Sequence, residues 1–119
     1  RLSLRRQRQM CIRDRLGADE LIKNSDLIIT GEGKMDFQTS MGKTPVGIAK
    51  LAKKYNKKVI AFCGVCDNDA VSVNERGIDA FFPILNKCME TNEAMDKKIS
   101  EENLYRSVDQ VMKLINLWR

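Results

Sequence analysis

The apolar and polar positions of the chain alternate between two spacings. "DLIIT" (26–30), "VIAFCG" (59–64) and "IDAFFPI" (78–84) are short runs rich in β-branched, aromatic and other apolar residues. Each predicts a buried strand, and glycines at 31 and 64 mark where the first two stop. Between them the spacing becomes helical. Thr44 can cap a helix whose first residue is Pro45. Ile48, Leu51, Ala52 and Tyr55 then share one face, with Lys50, Lys53, Lys54 and Lys57 largely off it. "LGADELIKNS" (16–25) reads as the end of an earlier helix. A short helix around 69–76 should close at Gly77, a residue suited to a C-cap. Thr91 is placed to cap another short helix and Ser100 to start a longer one. In that last helix Leu104, Val108, Val111, Ile115 and Trp118 form a stripe expected to pack against a sheet.

Strands alternating with helices, and strands that are almost continuously apolar, predict an α/β domain with a parallel sheet flanked by helices. Ligands of such sheets bind beyond the carboxyl ends of the strands. The stretch "ITGEGKMDFQTSMGK" (29–43) falls there. It is expected to be a long loop, and its three glycines, two carboxylates and two lysines serve no core.

Composition changes this picture at one end only. The chain has 119 residues and a net charge of +5. Residues 1–15, "RLSLRRQRQMCIRDR", hold six arginines and one aspartate, which accounts for all of the excess. Residues 16–119 hold fifteen Lys/Arg against fifteen Asp/Glu, and there the cations are mostly lysine. A nucleic-acid arm and a solvated helix end are two readings of the first segment. The abrupt change in usage favours a third, a non-native or disordered Arg-rich segment resembling translated adaptor read-through. Set apart in that way, it leaves residues 16–119 with no charge-based case for nucleic acid. No run is apolar and long enough to span a membrane, and the Arg-rich start lacks the core of a signal peptide. The expected location is the cytoplasm. Histidine is absent, which excludes Ser-His catalysis and His-based zinc sites.

Four motifs carry possible chemistry. Gly42-Lys43-Thr44 matches the end of a phosphate-binding P-loop, but Phe37 stands where that loop needs its first glycine. Gly42 and Lys43, just before a helix, remain a possible anion contact. Glu32 and Asp36 could hold Mg²⁺ directly or through waters, or one could accept a proton from an attacking hydroxyl; an exposed acidic loop is the plain alternative. Cys63-Gly64-Val65-Cys66 has the C-x-x-C spacing of a thiol redox centre. It lacks the tryptophan before the pair and the facing proline, so Cys63 is expected to pack as a small buried residue with Cys66 incidental. "AKKYNKK" (52–58) reads as the solvated end of an amphipathic helix.

Residues 26–55, "DLIITGEGKMDFQTSMGKTPVGIAKLAKKY", resemble the signature region of the bacterial glycerate kinases. In that family a strand is followed by G-E-G-R/K-x-D-x-Q-T/S and then G-K-x-P-x-G-V-A. The matching positions include Gly31, Glu32, Gly33, Lys34, Asp36, Gln38, Thr39, Gly42, Lys43 and Pro45. "KKVIAFCG", "GIDAFFPI" and "EAM" before a final amphipathic helix extend the resemblance over residues 16–119. Lys34 in place of the commoner arginine, Phe37 in place of a small residue, and Cys66 depart from the pattern. The family's chain is far longer, so the resemblance implies the C-terminal part of a Rossmann-like α/β domain of a two-domain kinase. It implies transfer of the γ-phosphoryl group of ATP to a hydroxyl of D-glycerate, with Mg²⁺, by a protein that binds those small molecules rather than nucleic acid or membrane. Under it, Asp36 and Lys43 are the catalytic candidates and Glu32 and Asp36 the metal candidates. Gly31, Gly33, Lys34, Gln38, Thr39 and Gly42 would hold substrate and phosphate. A chain this short would be inactive alone. Two readings from other classes stand beside it, a C-x-x-C redox protein and a non-catalytic anion-binding α/β module.

Overall fold

The structure, a computed structural model, describes residues 17–42 and 44–119. The expectations for residues 1–15 and for Lys43 lie outside the described residues. A short helix, α1 (Asp19–Lys23), leads into strand β1 (Leu27–Met35). A 3-10 turn (Phe37–Met41) connects it to helix α2 (Thr44–Lys54). Strand β2 (Lys58–Cys66) is followed by a longer 3-10 segment (Asn68–Arg76) and strand β3 (Ala80–Pro83). Two helices, α3 (Thr91–Ala94) and α4 (Lys97–Asn116), complete the chain. The three strands form one parallel sheet in the order β1-β2-β3, so the α/β expectation holds.

The strands differ from expectation in length, and the cause is mutual. β1 does not stop at Gly31, because Gly31 pairs with Phe62, Glu32 with Cys63, Lys34 with Val65 and Met35 with Cys66. The ladder continues because β2 also runs past its glycine. The segment 31–35, expected as loop, is therefore strand. A Cβ built on Gly64 would come within 2.6 Å of the Gly33 carbonyl oxygen, so glycine here permits a close backbone approach instead of ending the strand. β3 is shorter than expected, and Ile78 before it is fully buried.

The larger buried cluster lies on one face of the sheet, while Ile60 and Phe62 of β2, which alternate with its members, are buried on the other. Met35, Val59, Ala61 and Cys63 from the strands meet Ala49 and Ala52 of α2 and Ala70, Val73 and Ile78 from the segment between β2 and β3. The buried face of α2 is thus Pro45, Ala49 and Ala52, with Ile48, Leu51 and Tyr55 only half-buried. Small side chains let this helix lie close to the sheet, which rotates its buried stripe away from the bulkier positions. Gly77 ends the second 3-10 segment in the left-handed conformation, as its type suggested. Asp96 caps α4 by accepting a hydrogen bond from the Ile99 N–H at 3.1 Å; Ser100, the expected start, lies inside the helix and donates to the Ala94 carbonyl at 2.9 Å. Glu90, not Thr91, is the cap position of α3. The α4 stripe is only partly covered: Val108, Val111 and Ile115 are half-buried, while Leu104 and Trp118 are exposed. Among the described residues no helix is long and apolar enough to cross a membrane.

Candidate functional site

The carboxyl ends of β1 and β2 and the 3-10 turn after β1 carry most of the residues singled out in the sequence. Side chains alternate along a strand, and Met35, fully buried, anchors the end of β1 in the core. Asp36 follows in an extended conformation and caps the 3-10 turn. Its Oδ1 accepts from the Gln38 N–H at 2.9 Å, and its own N–H donates to Thr39 Oγ1 at 3.2 Å. The bond to Thr39 Oγ1 is one half of a capping box, whose other half is the Asp36 side chain accepting from the Thr39 N–H. Thr39 is completely buried and Ser40 nearly so, with Ser40 Oγ donating to the Phe37 carbonyl at 2.6 Å. The turn closes at Gly42, whose φ of 115° only glycine adopts without strain. α2 then begins at Thr44.

Two clefts flank this segment. One, of about 480 Å³, lies between the strand ends and α4 and is lined by Gly31, Glu32, Gly33, Phe62, Gly64, Ser100 and Leu104 among others. The second, of about 670 Å³, is lined by Ser40, Met41 and Gly42, by Val46, Gly47 and Lys50 of α2, and by Lys53, Glu75, Arg76 and Gly77. The candidate residues are therefore divided. Gly31, Glu32 and Gly33 face the first cleft and Gly42 the second, while Lys34, Asp36, Gln38 and Thr39 occupy the chain between them.

Glu32 has an unusual environment. Its Oε2 is buried and has no hydrogen-bond partner among the described residues. Such an atom is costly to leave unsatisfied, and a cation or a ligand hydroxyl would satisfy it. Among the described residues no group of three or more Asp, Glu, Cys or His side chains converges to hold a metal unaided. Mg²⁺ is commonly held by one or two carboxylates with waters and substrate phosphates completing its shell, so Glu32 fits such an ion. Asp36 lies four residues further along extended chain, roughly 13 Å between Cα atoms at strand spacing. An ion touching both would need waters or substrate oxygens between them.

Two residues that the sequence reading passed over brace this segment. The Asp67 N–H donates to the Met35 carbonyl at 2.9 Å, and the Asp67 carboxylate lies 3.7 Å from Lys34 Nζ. Asp69 Oδ1 accepts from the Phe37 N–H at 3.2 Å. Acids at the start of a segment that follows C-x-x-C were the available signal, overlooked because they belong to a different loop. Cys63 and Cys66 are joined as a disulfide with Cα atoms 6.4 Å apart. Cys63 is buried as expected, but Cys66 is its partner and not incidental.

Residues 3–116 match the model of the glycerate kinase family, so the match begins within the Arg-rich segment. A glycerate kinase of Haemophilus influenzae is 40% identical over 102 residues, which is 86% of this chain and 26% of that protein. A glycerate 2-kinase of Escherichia coli is 43% identical over 79 residues, 66% of this chain and 21% of that protein. The crystal structure of a protein assigned as glycerate kinase 2 from Salmonella typhimurium superimposes with a TM-score of 0.57 at 29% identity, covering 92% of this chain and 27% of that one. The chain thus spans about a quarter of the length of the relatives it matches.

Proposed function

This chain belongs to the glycerate kinase family, and we propose on that premise that it carries part of a site transferring the γ-phosphoryl group of ATP to a hydroxyl of D-glycerate in the cytoplasm. The buried Glu32 carboxylate oxygen at the strand ends, which has no partner among the described residues, is the observation that most supports a charged ligand here. Phosphoryl transfer is mainly a matter of positioning and of neutralising charge, and the residues fit those two tasks. When bound, Mg²⁺ would supply charge neutralisation for the phosphates. Glu32 would hold the ion or its water shell.

Asp36 is suited to take the proton of the glycerate hydroxyl as the oxygen–phosphorus bond forms, or to share the metal. Its Oδ1 is occupied by the Gln38 N–H, which orients the carboxylate and leaves the second oxygen for that role. Lys34 and Lys43 would contact the two anions, one the glycerate carboxylate and the other a phosphate. Gln38 would hydrogen-bond a substrate oxygen. Thr39, buried and bonded to Asp36, would act by holding the turn. Gly31, Gly33 and Gly42 would admit ligand close to the backbone.

A chain covering about a quarter of its relatives would lack the opposite wall of the cleft and would not turn over alone. The test is a chimera in which this chain replaces the matched region of the Haemophilus influenzae relative. ATP-dependent phosphorylation of D-glycerate by the chimera, and none by the chain alone, is the expected result. A folded chimera without activity would contradict the proposal.

A further inference from the structure

We propose that Cys63 and Cys66 form a reversible thiol–disulfide switch whose bond holds Asp67 and Asp69 clasped onto the segment Lys34–Phe37. This inference stands independently of the phosphoryl-transfer reading, because its readouts are covalent state and amide exchange.

Residues three apart on a regular strand have Cα atoms about 10 Å apart and point to opposite faces. Here the separation is 6.4 Å, inside the range of roughly 4.4–6.8 Å over which two cysteines can be bridged. Gly64 lies between them, and a Cβ there would come within 2.6 Å of the Gly33 carbonyl oxygen. The two thiols differ in access in the way exchange requires. Cys66 is partly buried against the core and the more accessible of the two, and Cys63 has 1% of its surface exposed.

The position of the pair connects it to the clasp. Cys63 is in register with Glu32, and Cys66 with Met35. The residue after Cys66 is Asp67, whose N–H donates to Met35 and whose carboxylate faces Lys34. Asp69, two residues on, holds the Phe37 N–H. The covalent link therefore fixes the root of a short segment that makes three contacts to the end of β1 and the turn after it. Opening it frees that root.

The chemistry balances with a low-molecular-weight disulfide as oxidant. The accessible Cys66 thiolate attacks one sulfur of glutathione disulfide, an S–S bond forms, and one glutathione thiolate leaves. The Cys63 thiolate then attacks Cys66 sulfur and displaces the second. The two cysteines lose two electrons, the glutathione disulfide gains them, and both cysteine protons end on the two glutathione thiols. A dithiol such as dithiothreitol reverses the step.

The experiment uses the chain with Cys11→Ser and Cys88→Ser, which removes other pairings; Cys88 is exposed and in no disulfide among the described residues. Thiols are counted by alkylation and mass spectrometry after glutathione disulfide and after dithiothreitol, and amide exchange is followed in both states. Two thiols should disappear together without added glutathione mass and return together on reduction. The Phe37 and Asp67 amides should exchange about tenfold or more slowly in the oxidised form, the size of a local opening made harder. Cys66→Ser should match the reduced parent in both buffers. Persistent free thiols, a glutathione adduct in place of the bridge, equal exchange in the two states, or a Cys66→Ser variant protected like the oxidised parent would each overturn the proposal.

Discussion

At the scale of single residues, Asp79 shows how one carboxylate ties three elements together. Its Oδ2 accepts from Lys53 Nζ of α2 at 2.6 Å and from the Val59 N–H at 2.7 Å, while its own N–H donates to the Val59 carbonyl at 2.8 Å. Burial pushes its pKa up, but the hydrogen bond from Lys53, together with that from Val59, outweighs burial and holds it below the ordinary value of 3.8. The unfolded chain therefore takes up the proton first on acidification. The stabilisation is complete above the ordinary carboxylate value and is lost as pH falls through it towards the lower folded value. Because the pair is half-exposed, the Lys53 contact contributes only about 0.2–1 kcal/mol. Urea unfolding should show Asp79→Asn less stable than the parent at about pH 7, with the gap closing as pH falls below the ordinary carboxylate value. Asp79→Ala, which leaves the Val59 N–H without its acceptor, should cost about 1–3 kcal/mol at neutral pH.

At the scale of elements, the central feature is the joint extension of β1 and β2 past their glycines. Apolar runs made the first half of each strand legible, since "LII" and "VIAF" have the period and residue types of buried strands. The second halves were illegible because glycine is read locally as a stop. Here its meaning is set by the neighbouring strand, which a single sequence does not display. The same reason explains α2: its amphipathic period was visible, but the stripe of alanines that faces the sheet depends on how closely the sheet approaches. The capping box of Asp36 and Thr39 is local, and its residues were singled out, though for ligand contacts and not for the turn they build. The Asp67–Asp69 clasp is tertiary: the two acids after C-x-x-C are visible in the sequence, but their partners on the other loop are not. Gly64→Ala tests the extension, because its methyl would meet the Gly33 carbonyl oxygen. The cost should be about 1–3 kcal/mol, in line with overpacking at an interior position. A change below about 0.5 kcal/mol in chemical unfolding, the range of ordinary surface substitutions, would show that the two strands are not pressed together there.

At the scale of the whole molecule, the sheet presents a candidate acidic and basic segment at its carboxyl ends, between two clefts on either side. The fold accounts for the location of those residues. The apolar groove beside Ile29, Leu104 and Val108 and the exposed Trp118 belong to a surface only partly covered by the described residues. The most direct measurement compares Asp36→Asn and Glu32→Gln in the active chimera, with steady-state kinetics on D-glycerate at varied Mg²⁺. Asp36→Asn should lower kcat by about 10²–10⁴-fold, the usual contribution of a positioned proton acceptor, while KM for glycerate changes little. Glu32→Gln should raise the Mg²⁺ concentration needed for half-maximal rate. Retention of kcat within about twofold in Asp36→Asn, or an unchanged Mg²⁺ requirement in Glu32→Gln, would contradict the account.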